Sequence, residues 1–198
     1  MEDQAAKFRD ALQFIENIDA LKTTYRKNLL MNGARTESTA EHSFSLAMAV
    51  LCFGAFSDRK IDVMKTVKMA LFHDLAEALT GDTFHYDKNK AVQEASEREA
   101  LETMLVPIAG TALHAEILAL WEEFENGDSP EALFLRGLDR MLPIFHNYKT
   151  DGHTWLKHGI TKDMALKKNA HIEDGSKLMW DMTKAMLDDA QSKGWLAA

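Results

Sequence analysis

The chain has 198 residues, 46% of them hydrophobic and 27% charged, with a formal charge of −8; that is the make-up of one well-buried globular domain and not of a disordered segment. The acidic balance argues against a nucleic-acid polymer or an anionic membrane surface as partner, since both select a basic face. The start, Met1-Glu2-Asp3-Gln4, is unlike a secretory leader, and no uninterrupted apolar run approaches the roughly 18 residues that span a bilayer, so the expected compartment is the cytoplasm. The single cysteine, Cys52, rules out an internal disulfide and lies in an apolar helical run; a small buried hydrophobe is its expected role.

Val and Ile are few beside Ala, Leu, Met, Glu and Lys, a balance that favours helix over sheet. Phe8, Leu12, Phe14, Ile15 and Ile18 repeat at helical spacing over 4–20. Residues 21–37 lose the period and read as a connecting loop with two isolated arginines, Arg26 and Arg35. Ser38-Thr39-Ala40-Glu41 is a capping box and opens a helix that carries His42 in its first turn and runs to about Phe56. Ile61 to Leu79 reads as one helix, closed by Gly81 just past its last turn. His73 and Asp74 sit in its middle, among Val67, Ala70, Leu71 and Leu75.

Residues 82–90 are polar and aperiodic, and His85 there reads as solvated. A charged helix follows over 91–106, and another runs from Thr111 to about Phe124. Ser129-Pro130-Glu131 opens the next, with Ser at the N-cap and Pro at the first helical position. That helix holds Asp139 among Leu135, Leu138, Met141 and Leu142, and Pro143 is placed to kink it. Residues 149–170 read as loop, rich in His and Trp (His153, Trp155, His158), and a last helix covers about 172–192. With short connections and no boundary signal, residues 1–198 are expected to form a single all-α bundle of about seven helices.

His42, His73, Asp74 and Asp139 are polar groups in apolar helical settings, where a carboxylate is costly unless it is paired or binds a metal. Two imidazoles and two carboxylates suit one divalent ion such as Mn, Fe, Co, Ni or Zn. Glu77 follows Asp74 by three residues and His73 by four, spacings that share a helix face; a carboxylate there is placed to move a proton. The plainer reading of Glu77 is an exposed helix glutamate.

The ordered set resembles the HD-domain metal-dependent phosphohydrolases, and most closely their YfbR-like 5′-deoxynucleotidase branch. Arg35-Thr36-Glu37-Ser38-Thr39-Ala40-Glu41-His42-Ser43 is similar to that branch's Arg-x-Glu-Ser-x-x-Glu-His-Ser segment, and His73-Asp74-Leu75-Ala76-Glu77-Ala78-Leu79-Thr80-Gly81-Asp82 to its His-Asp-x-x-Glu-x-x-x-Gly-Asp segment. Trp121-Glu122-Glu123-Phe124-Glu125 and Asp139 look like its acidic helix end and last ligand. The likeness covers about 21–145 and leaves 149–198 as a helical extension.

The resemblance implies an HD-type bundle, a homodimer, one divalent metal on His42, His73, Asp74 and Asp139, and hydrolysis of deoxynucleoside 5′-monophosphates. It gives Glu77 the support of water attack, and pairs an arginine, here Arg26, with Asp82 to hold the phosphate. Lys27-Asn28-Leu29 follow Arg26 where the branch has a Trp. Arg35, Glu123 and Trp155 complete the candidate substrate contacts, Trp155 as a stacking platform for the base or, more plainly, as an anchor for the last helix. Three alternatives stay open: another phosphate ester as substrate, a di-iron oxygenase drawing on His114 and His146, and a non-catalytic metal-stabilised binding protein.

Overall fold

The Ser-x-x-Glu box at 38–41 starts the helix around which the rest is arranged. Ser38 Oγ accepts from the Glu41 amide at 3.3 Å, and Glu41 Oε2 accepts from the Ser38 amide at 2.9 Å, a reciprocal cap. The computed structural model of the chain describes residues 2–82 and 90–198; His85 lies outside these described residues. In chain order the helices are α1 (Glu2–Asp19), α2 (Thr39–Phe53), α3 (Val63–Phe72), α4 (Glu77–Thr80), α5 (Lys90–Leu105) and α6 (Ala112–Asn126). Then come α7 (Pro130–Lys149), α8 (His153–Lys157), α9 (Lys162–Asn169), α10 (Ile172–Gly175) and α11 (Lys177–Ser192). Seven of those described have ten residues or more, so the all-α expectation holds.

Two apolar clusters carry the fold. The larger joins α2, α3, α7 and α11 through Leu46, Val50, Met69, Phe134, Leu135, Leu138 and Leu187. The smaller joins α1, α5 and α6 through Phe14, Leu101, Leu105, Ile117 and Trp121. Ser129 caps α7 with Pro130 behind it, and α7 runs on through Pro143 to Lys149. Gly175 of α10 lies so close to α7 that a Cβ there would stand 2.6 Å from the Leu133 carbonyl oxygen and the Phe134 Cα.

The structure departs from the sequence reading in several places. The expected loop at 21–37 contains a two-stranded antiparallel hairpin, β1 (Tyr25–Leu29) and β2 (Thr36–Ser38). Its pairs are Tyr25 with Ser38 and Leu29 with Thr36, so β1 holds a bulge between them. The turn is closed by the Gly33 amide on the Leu30 carbonyl at 2.8 Å, with Gly33 at φ 72°. β1 reads Tyr-Arg-Lys-Asn-Leu, with no alternation to announce it, and is held by backbone pairing instead. The expected loop at 149–170 contains α8 and α9.

Cys52 is exposed, not buried. It belongs to an outward apolar face of α2 with Phe44 (66% exposed), Met48 and Leu51. By length and mean hydropathy of 1.2 the segment Thr39–Phe56 could also cross a bilayer, though Glu41, His42, Ser43 and Ser45 interrupt it, so the sequence reading of no uninterrupted apolar run holds. Its other face, with His42, Ser43, Leu46, Ala47 and Val50, is buried inside the bundle.

Arg35 forks onto Glu41, with NH1 to Oε2 at 2.8 Å and NH2 to Oε1 at 2.5 Å. That fork, followed by the Ser38 amide bond, lowers the Glu41 pKa from 4.5 to about 2. A lowered folded-state value stabilises the fold above pH 4.5, and the contribution is lost as pH falls toward 2. Glu41→Gln should therefore cost about 1 kcal/mol at pH 7, a screened figure for a half-exposed pair. In urea titrations at pH 7, 4 and 3, the gap between wild type and variant should narrow as the pH drops.

Candidate active site

The expected helix over 61–79 breaks at the residues of interest. α3 ends at Phe72, and the His73 ring Nδ1 bonds the Ala70 carbonyl at 2.9 Å, the acceptor that a continued helix would offer to the Asp74 amide. The chain then turns through bonds between residues three apart: Leu75 to Phe72 at 3.3 Å, Glu77 to Asp74 at 3.1 Å and Ala78 to Leu75 at 3.2 Å. The short α4 follows, and Gly81, at φ 76°, sends the chain out to Asp82.

This break faces α2 and α7. His42 Nε2 lies 2.9 Å from Asp139 Oδ1, and His73 Nε2 lies 3.8 Å from the same oxygen. Ligand atoms of His42, His73 and Asp139, all buried, fall within 4.8 Å of one another. Asp74 Oδ2 joins them at 3.0 Å from His73 Nε2 and 3.9 Å from His42 Nε2. The Phe124 ring sits edge-on to His73 at 5.0 Å and closes one side.

The donor set fits a divalent metal, and His73 is the test. Its Nδ1 is engaged by Ala70, while its Nε2 is buried without a hydrogen-bond partner; the approach of Asp74 at 3.0 Å is misaligned for a hydrogen bond. A buried polar nitrogen is costly to leave unmatched, and a metal-binding imidazole has this pattern of one nitrogen fixed and the other free.

The electrostatics also call for a cation. Burial by itself would lower the pKa of His73, yet Asp74 and Asp139 outweigh it and raise it well above the usual value. Burial would raise Asp74, but His73 and Arg26 hold it at about 2. Burial would likewise raise Asp139, and Arg140, at 3.4 Å, together with His42 and His73 keeps it well below the carboxylate range. His42 is lowered, first by burial and then by the nearby Arg26.

Beside the cluster, Arg26 NH1 lies 3.1 Å from Asp74 Oδ2 and 3.6 Å from Asp82 Oδ1. Burial would lower its pKa, but Asp74, Asp139, Asp82 and Glu77 raise it. Glu77 is buried, and its Oε2 accepts from Thr39 Oγ1 at 2.7 Å. Its pKa is pushed up to about 9, chiefly by burial and then by the Asp74 and Asp82 charges. Asp82 is also raised, first by burial, with Arg26 opposing. Glu77 is therefore no exposed helix glutamate.

Three expected substrate contacts go elsewhere. Arg35 is spent on Glu41. Glu123 binds Lys65 Nζ at 2.6 Å and the Ser129 hydroxyl, because α6 turns Phe124 toward His73 instead. Trp155 is 2% exposed in the larger core, with its backbone amide on Asn147 Oδ1, so no base can stack on it. Sequence reasoning passed over three neighbours of the site, Glu37, Thr39 and Arg140, and named a fourth, His146, only as a spare histidine for a di-iron centre. Glu37 and Thr39 flank Ser38 in a quoted motif, and Arg140 and His146 share α7 with Asp139.

With this geometry in hand, the HD domain sequence profile matches residues 18–180. The chain belongs to the HD domain family. Within it, a 5′-deoxynucleotidase of Dictyostelium discoideum is 32% identical over 145 residues, covering 70% of this chain and 76% of that one. A 5′-deoxynucleotidase of Schizosaccharomyces pombe is 32% identical over 142 residues, covering 69% and 70%. A crystal structure from Magnetospirillum magnetotacticum, described as a predicted metal-dependent phosphohydrolase, superposes with a TM-score of 0.91 at 34% identity and covers 98% of this chain and 97% of its own. The HD motifs read from the sequence are the ones that the structure gathers.

A metal that binds only the folded state must stabilise it, by about 2.7 kcal/mol at a hundredfold excess over Kd. Manganese should raise the melting temperature of the wild-type protein. The rise should vanish in His73→Ala and Asp139→Ala, read by differential scanning calorimetry with and without the ion.

Proposed function

We propose that this HD domain protein is a metal-dependent phosphomonoesterase that releases phosphate from (deoxy)nucleoside 5′-monophosphates. His42, His73, Asp74 and Asp139 would hold one ion, and the mixed imidazole–carboxylate set suits Mn, Co, Fe, Ni or Zn. The observation that carries the reading is the buried, unpartnered His73 Nε2 aimed at two carboxylates, with the Arg26–Asp82 pair alongside. The 5′-deoxynucleotidase relatives support the substrate class. When bound, the ion supplies Lewis acidity for the phosphoryl group and acidifies attacking water.

The chain's own residues do the rest. Arg26, oriented by Asp82, is a fork that matches two phosphate oxygens. The Glu77 carboxyl, buried beside Asp74 and Asp82, is placed to take a proton from the attacking water and pass one to the departing ribose oxygen. Thr39 holds that carboxyl in place.

A di-iron oxygenase finds less support. It needs further inward ligands, yet the metal-capable group gathered among the described residues includes neither His146 nor His114. Among the described residues one group of three metal-capable side chains occurs.

Purified protein with Mn or Co should release phosphate from deoxynucleoside monophosphates. Glu77→Gln should lower kcat by about 10²- to 10⁴-fold while metal binding persists. His73→Ala should be inactive, and wild-type turnover in that variant would overturn the proposal.

We further infer a homodimer through the outer face of α2. Phe44, Met48 and Leu51 form an exposed apolar stripe, and a cavity of about 610 Å³ beside it is lined by Tyr25, Met31 and Phe44. Apolar faces of this kind on a globular protein mark contact surfaces, and a twofold axis would match the patch to itself. Leu51→Glu should shift the sedimenting species to monomer.

A further inference from the structure

Glu37 is 3% exposed and belongs to neither the expected ligands nor the expected phosphate contacts. It projects from β2 into the space behind His42. Its Oε2 stands 3.9 Å from His42 Nδ1 and 3.9 Å from Arg26 Nε, a nitrogen that is itself buried without a hydrogen-bond partner. Its Oε1 stands 3.7 Å from His146 Nε2. The opposite nitrogen of His146 bonds the Leu29 carbonyl at 3.0 Å, which ties the group to β1. His146 lies seven residues beyond Asp139 on α7, two turns along the same face. One helix thus carries a residue of the metal cluster and the residue that faces Glu37.

The chemistry of His42 gives this placement a purpose. Its Nε2 faces the cluster, so a metal there needs the ring tautomer with its hydrogen on Nδ1. A carboxylate beside Nδ1 favours that tautomer and fixes the ring plane, which is how carboxylates behind metal-bound histidines work. A separation of 3.9 Å is too long for a hydrogen bond, so in this structure the attraction is between charges and dipoles.

We propose that Glu37 is a positioning residue for the metal site, orienting His42 from behind and steadying Arg26 with the same oxygen, while His146 holds its other oxygen. The proposal rests on the metal-site reading but not on the identity of the substrate. It also explains why the hairpin is needed: β1 carries Arg26 and β2 carries Glu37, and their pairing sets the two side by side.

The test is metal affinity, not turnover. Manganese binding is measured by calorimetric titration of metal-stripped protein, with the melting temperature of the metal-free form as a control for fold. Glu37→Gln keeps the volume and removes the charge. Its metal-free melting temperature should stay near that of wild type, while its Kd for manganese should weaken about 10- to 100-fold. His146→Gln leaves the carboxylate in place and should weaken Kd by a smaller factor, about 3-fold or more. A Kd within twofold of wild type in folded Glu37→Gln overturns the proposal. Should Glu37→Gln not fold, His146→Gln decides alone, and an unchanged Kd there overturns it. Wild-type protein that binds manganese yet hydrolyses no nucleotide would sink the proposed substrate and leave this inference standing.

Discussion

The structure depends on how it tolerates buried negative charge. Glu37, Asp74, Glu77, Asp82 and Asp139 converge around Arg26, each with less than a fifth of its side chain or residue surface exposed. Isolated carboxylates in such a place would be prohibitive. The molecule offsets the cost in three ways. Arg26 lies against Asp74 and Asp82, the histidines lie against Asp74 and Asp139, and Glu77 retains a proton. What remains is a buried cluster of His42, His73 and Asp139 whose ligand atoms fall within 4.8 Å of one another, which a divalent cation would suit.

That corner is assembled from elements far apart in the chain, so their packing must be rigid. Arg136 supplies one lock. Its NH1 donates to the Phe124 carbonyl at 2.7 Å and its NH2 to the Gly127 carbonyl at 2.6 Å, satisfying oxygens that the end of α6 leaves unpaired. The lock pins α6 to α7 one turn before Asp139 and presents the Phe124 ring to His73. On the other side, the Thr39 amide bonds the Thr24 carbonyl at 2.9 Å, joining the hairpin to the start of α2 three residues before His42. Arg26 and His42 are thereby held by one piece of backbone.

Much of this was legible in sequence because its causes are local. The Ser38 and Ser129 caps, Pro130 and Gly81 announce helix ends by chemistry that needs no partner. The polar residues His42, His73, Asp74 and Asp139 stand out against apolar neighbours. The hairpin was not legible, since Tyr25–Leu29 is stabilised by pairing to β2 and by burial of Arg26, both tertiary. The break after Phe72 was hidden for a different reason: it arises from the His73 ring claiming the Ala70 carbonyl, a choice that apolar periodicity does not record. Arg35 and Glu123 misled because an isolated charge looks available until its partner is known, and Glu41 and Lys65 are those partners. Trp155 misled because an aromatic in a polar-looking stretch suits a core as well as a ligand.

The proposed roles in metal binding and phosphate handling meet at one place in the site. A single atom, Asp74 Oδ2, lies 3.0 Å from His73 Nε2, 3.9 Å from His42 Nε2 and 3.1 Å from Arg26 NH1. Any change at Asp74 would disturb both proposed functions at once, so it cannot apportion them. The residues at either end can. Asp139 faces His42, His73 and Arg140 on the proposed metal side, whereas Asp82 faces Arg26 on the proposed phosphate side. The adjacency of His73 and Asp74 in sequence is thus the seam of the site, where the helix stops at Phe72 and the turn after it brings two neighbouring side chains to one cluster, with Asp74 also reaching Arg26.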